Sequence, residues 1–101
     1  MSTIDTTLAE RGTRYGAFTG TADIIQNMKA TMQQSPKWGE LASDQKEALE
    51  MVVHKIGRIL NGDPQYIDSW TDIIGYARLV EARLLAAEEA AKKVVPLKKR
   101  A

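Results

Sequence analysis

The sequence predicts an all-α fold, and three observations carry that expectation. Only three Pro and seven Gly interrupt 101 residues. Between these breaks, apolar residues recur at steps of three and four rather than two. Two long periodic stretches are joined by a short link, Asn61-Gly62-Asp63-Pro64, made of residues that end helices. The expected architecture is a small helical bundle: two long antiparallel helices plus shorter N-terminal helices, as one domain over residues 1–94, followed by a basic flexible tail at 95–101.

Taken in order, a short first helix is expected over Thr3 to Arg11, stopped by Gly12, and "RGTRYGAFTG" with its three glycines reads as a loop. Thr21 is placed to cap a second helix through Met32, whose apolar residues Ile24, Ile25, Met28 and Met32 share one stripe. "QQSPKWGELAS" is a connection in which Trp38 and Leu41 turn back against the core. Ser43 is placed to cap a helix from Asp44 to Leu60, and the last helix is expected from Ser69 to Val94. Gly57 and Gly75, inside these helices, suggest close helix approach, because a helical glycine costs up to about 1 kcal/mol without a packing reason.

Composition narrows the function classes. Fourteen Lys and Arg against thirteen Asp and Glu give a net charge of +1, which argues against a general nucleic-acid or membrane binder. Without Cys there is neither a disulfide framework nor a thiolate metal site. The N-terminus lacks the pattern of a secretory leader, and no apolar run approaches the roughly 18 residues of a membrane span, so a cytoplasmic protein is expected.

On the helix expected at 44–60, Leu49, Val52, Val53, Ile56, Ile59 and Leu60 form a core stripe, and Glu47, Glu50, His54 and Arg58 form a polar line on the other side. Such a line is ordinarily a solvated face. Here, however, Glu47 and Glu50 are like charges one turn apart, without a Lys four residues beyond Glu47. On the last helix Asp68 and Asp72 share a side, either as an N-cap and a first-turn acid or as partners of the two glutamates. Two antiparallel helices with paired acids can hold Mg²⁺ through carboxylate oxygens, and the ion can neutralise a substrate's phosphates.

The other informative stretch is "RGTRYGAF". Arg11 and Arg14 flank a turn able to meet an anion, and Tyr15 or Phe18 can stack on a base, or anchor the loop in the core as Phe18 is the better placed to do. Trp70 lies on the apolar side of its helix, as a core or subunit-interface residue.

The run "EALE", the 17-residue gap and the acidic start "DSWTDIIGYARLV" resemble the all-α nucleoside triphosphate pyrophosphohydrolases of the MazG type. Together with "RGTRYGAF" and "NGDP", they also look like small phage-encoded proteins over about residues 8–85. The MazG-type resemblance implies Glu47, Glu50 and Asp72 as ligands of Mg²⁺ or Mn²⁺. Ser69 stands where that family has Glu, and Asp68, on the same helical face, takes the fourth place. Glu47 and Glu50 would be the catalytic acids, one of them orienting a metal-activated water, with Lys55 and Arg58 contacting the substrate's phosphates, Arg58 the better suited, and His54 either touching substrate or standing as a surface or core-edge residue.

The expected function is therefore Mg²⁺-dependent hydrolysis of a nucleoside triphosphate by a phage protein in the host cytoplasm, as a dimer or tetramer joined through the apolar flank of the last helix. Two alternatives stand beside it: a non-catalytic protein that holds a nucleotide or nucleotide-derived signal, and a helical adaptor for another protein.

Overall fold

The computed structural model describes the backbone of residues 3–100 and the side chains of residues 3–93. The helices are α1 (Thr3–Tyr15), α2 (Phe18–Gln33), α3 (Ser43–Asn61) and α4 (Ile67–Arg100), with a 3-10 turn at Trp38–Glu40. The all-α bundle expected from the sequence is what the chain forms. Side chains from 94 onward lie outside the described residues, and the backbone of 95–100, expected as a tail after a helix ending at Val94, continues α4.

Helix α3 is the centre, packing against α4 on one flank and α2 on the other, with α1 laid across one end of the α2–α3 pair. The most buried apolar side chains, Ile25 and Val53, sit between α2 and α3. Gly57 explains the closeness of that contact, since a Cβ there would stand 2.6 Å from Ile25 Cγ1. Gly75, expected to serve a similar purpose, has no atom within 4 Å of where its Cβ would be. Of the two helical glycines, only Gly57 serves a close helix contact, that of α3 with α2.

Ion pairs fix the antiparallel register of α3 and α4. Arg83 Nε donates to Asp44 Oδ2 at 2.5 Å, and Lys55 Nζ lies 2.8 Å from Asp72 Oδ2. Eleven residues forward on α3 thus correspond to eleven back on α4. The Arg83 hydrogen bond also holds the Asp44 carboxyl below its usual range.

The N-terminal half differs from expectation in its turn. α1 runs through Gly12 to Tyr15, α2 begins at Phe18, and only Gly16 and Ala17 separate them. The amide of Gly16 donates to Gly12 O at 2.9 Å and Gly16 has φ +77°, a left-handed helix end that favours glycine. Thr21 is not a cap; it lies inside α2, buried, and its hydroxyl donates to Tyr15 O at 3.1 Å. Ala42, not Ser43, precedes α3, and its amide donates to Gln45 Oε1 at 2.9 Å. α4 starts at Ile67, two residues before Ser69, which places Asp68 in the first turn.

The α1–α2 turn is tied to the α3–α4 turn. Asn61 Nδ2 donates to Tyr15 O at 3.1 Å, Ala17 O at 2.9 Å and Thr21 Oγ1 at 2.9 Å, and Asp63 N donates to Arg14 O at 2.5 Å. Any Cβ on Gly16 would run into the Asn61 carbonyl, and one on Gly62 into the backbone of Arg14 and Tyr15. The glycines of "RYG" and "NGDP" are thus explained by each other.

Candidate functional site

The carboxylates expected to share a metal ion are not brought together. Glu50 faces α2, where Lys29 Nζ is 3.8 Å away, and Asp72 is engaged by Lys55. Asp68 accepts a hydrogen bond from the Tyr66 hydroxyl at 3.1 Å, and Glu47 is exposed. The register gives the reason: Glu50 and Glu47 fall opposite Ala77 and Val80, so Asp72 lies about five residues along the axis from the first and about eight from the second, roughly 7.5 and 12 Å. Among the described residues no group of three or more His, Asp or Glu side chains could hold a metal ion. The donor set does not fit Mg²⁺ or Mn²⁺, which needs several oxygens within about 2.1 Å. Lysine ammonium groups neutralise two of the acids instead.

The polar line of α3 is nevertheless not a solvated face. His54 and Arg58 are half-buried, covered by the N-terminal helices, and they line a pocket of about 490 Å³ between α1, α2 and α3. Leu8, Arg11, Gly12 and Tyr15 form the α1 wall, Gly16 and Ala17 the turn, and Phe18, Thr21 and Ile25 the α2 wall. Of the residues expected to contact substrate, Arg11, Tyr15, His54 and Arg58 meet here. Lys55 and Arg14 do not. Lys55 is only 12% exposed and is spent on Asp72, while the Arg14 guanidinium stacks on the Tyr66 ring at 5.0 Å.

Aromatic stacking orders the basic side chains. The Arg58 guanidinium lies 4.5 Å from the centre of the Tyr15 ring, whose edge meets Tyr66 at 6.1 Å. Arg58 and Arg14 thus bracket a pair of tyrosines, with Arg58 held at the pocket wall. Phe18 does not anchor the turn as expected; it is 81% exposed at the pocket's edge. Burial, reinforced by Arg58, Lys55 and Lys29, pushes the His54 pKa below its ordinary value, favouring the neutral ring. Among the described residues, no carboxylate lines the pocket.

The sequence reading missed Leu8, Thr21 and Ile25 as pocket walls, and one misplaced boundary is the cause. With α1 ended at Arg11, Leu8 and Tyr15 had no common face. Carried through to Tyr15, the helix places Leu8, Arg11, Gly12 and Tyr15 on one stripe at steps of three, one and three. α1 buries none of its residues, so a solvated loop and this helix leave similar composition signals.

No family model, curated protein or solved structure matches the chain. Among the described residues, no helix is long and apolar enough to cross a membrane.

Proposed function

We propose that this chain binds a nucleotide or nucleotide-derived small molecule and holds it without hydrolysing it. The observation behind the reading is the pocket that joins Arg11, Arg58 and His54 to the ring of Tyr15 over the apolar Leu8 and Ile25, with no carboxylate in its wall. Guanidinium groups suit phosphate oxygens in bidentate geometry, and an aromatic edge such as Phe18 suits a base. An acid that would activate water or carry a metal has no place in that wall. In the phage setting implied by the resemblance, a protein of this kind withdraws a nucleotide signal from circulation.

Calorimetric titration of the full chain with a panel of nucleoside mono- and triphosphates and cyclic nucleotides tests the reading. Saturable binding that Arg58→Gln weakens supports it. Release of pyrophosphate from a triphosphate in Mg²⁺, abolished by Glu50→Gln, would replace it with the pyrophosphohydrolase expected from the acidic motif. A chain that binds no nucleotide would leave the adaptor reading in its place.

A further inference from the structure

One flank of the α3–α4 pair has no covering among the described residues. Leu49, Trp70, Ile74 and Leu84 stand out from it, with Ile74 69% exposed. Leu49 lines an apolar groove of about 310 Å³ together with Leu41, Ala48, Val52, Ala77 and Val80, with Gln45 the one polar side chain in it, and Ile74 lines a second hollow that shares Ala77 with the groove. Arg78 and Glu81, which line the hollow beside Ile74 and Ala77, are bonded to each other.

We propose that a second copy of this chain covers that flank, giving an isologous dimer whose centre is a bundle of four helices, α3 and α4 from each protomer. Surface area is the first argument. The chain exposes 7524 Å², where a compact monomer of 11.2 kDa would expose about 5,700 Å². The surplus of about 1,800 Å² per chain is on the scale that an obligate homodimer buries, roughly 2,000–5,000 Å² over both partners.

Shape is the second argument. A two-fold contact requires one surface to carry both a ridge and the groove that accepts it, and this flank has both. Trp70, Ile74 and Leu84 follow each other along α4, while the groove runs between α3 and α4 and shares Ala77 with the hollow that Ile74 lines.

Sedimentation equilibrium of the full chain at micromolar concentration tests the proposal. The expected mass is twice 11.2 kDa. Ile74→Glu, on the ridge, should raise the dimer dissociation constant at least about thirtyfold, the scale of an interface hot spot. Leu79→Glu, equally exposed but on the opposite side of α4, should leave it unchanged. A wild-type chain that is helical and monomeric overturns the proposal, as does a dimer indifferent to Ile74→Glu. If Ile74→Glu does not fold, wild-type Tm decides: it should rise with protein concentration, and a concentration-independent Tm overturns the proposal. Proximity of the α4 helices is read separately, because the chain has no Cys. Ala77→Cys should form an intermolecular disulfide under mild oxidation and Leu79→Cys should not; the reverse pattern overturns the assignment of the flank.

Discussion

The side-chain amide of Asn61 donates to Thr21 Oγ1 at 2.9 Å, joining two residues forty positions apart. The same nitrogen reaches Tyr15 O and Ala17 O, so one side chain holds both walls of the pocket's turn against the end of α3. At about 1 kcal/mol for each net hydrogen bond, Asn61→Ala should lower the unfolding free energy by about 2–3 kcal/mol. The check is urea denaturation, and a loss below about 0.5 kcal/mol would show that water replaces the clasp without cost. Gly16→Ala should be comparably damaging, since its φ is +77° and its Cβ would collide with the Asn61 carbonyl.

Arg58→Gln should separate binding from folding. Losing a charge-assisted contact worth about 1.5–3 kcal/mol weakens an anionic ligand by roughly ten- to a hundredfold. Stability should fall by no more than about 2 kcal/mol, the upper scale of a partly buried cation–π pair with Tyr15. Lys55→Gln is the counterpart: it frees Asp72 at the α3–α4 contact and should lower Tm while leaving ligand affinity nearly unchanged. Equal effects of both substitutions on affinity would contradict the pocket as drawn.

His54 gives the pH dependence. Its folded-state pKa lies below the ordinary 6.5 because of burial and then the nearby cations Arg58, Lys55 and Lys29. The unfolded chain therefore takes up the proton first as pH falls. Stability should be level above about pH 6.5 and decline as pH drops from there toward the folded-state pKa. A bound phosphate favours the imidazolium, so ligand affinity should increase over the same interval. Thermal unfolding between pH 8 and 5 with and without ligand measures both trends, and His54→Gln should flatten them.

Divalent cations should matter little. With Glu50 and Asp72 paired to lysines and Asp68 bonded to Tyr66, millimolar Mg²⁺ should shift Tm by less than about one degree, and a chelator should not change ligand affinity. A rise of several degrees on adding Mg²⁺ would mean that the acids gather around an ion after all.

The helices of the C-terminal half were readable because breakers and apolar spacing agree there, although Ala42 rather than Ser43 precedes α3 and α4 begins two residues before Ser69. Asn61-Gly62-Asp63-Pro64 ends α3 in the structure as in the sequence, and Trp38 forms a short turn as expected. The N-terminal half was misread where glycine was taken as punctuation. Gly12 is simply helical, and only Gly16 needs its freedom. At the site, the polar line of α3 was visible from its period, but two pieces of information were not. Which elements cover that line depends on α1 and α2 folding back over it. Which acids meet depends on an axial register set by Lys55–Asp72 and Asp44–Arg83, pairs separated by 17 and 39 residues that no local spacing reveals.

The Asn61 clasp also bears on the order of events in folding. Its contact with Tyr15 spans 46 residues, and closing a loop of that length costs about 3 kcal/mol of chain entropy before any bond forms. The α3–α4 and α2–α3 pairs are nearly local in sequence and need no such closure, so they should assemble first. The clasp would then be absent from the transition state. Asn61→Ala should leave the refolding rate almost unchanged and speed unfolding by most of its equilibrium effect, a partition that a chevron plot reads directly. Slowed refolding would instead place the joining of the two turns at the start of the pathway.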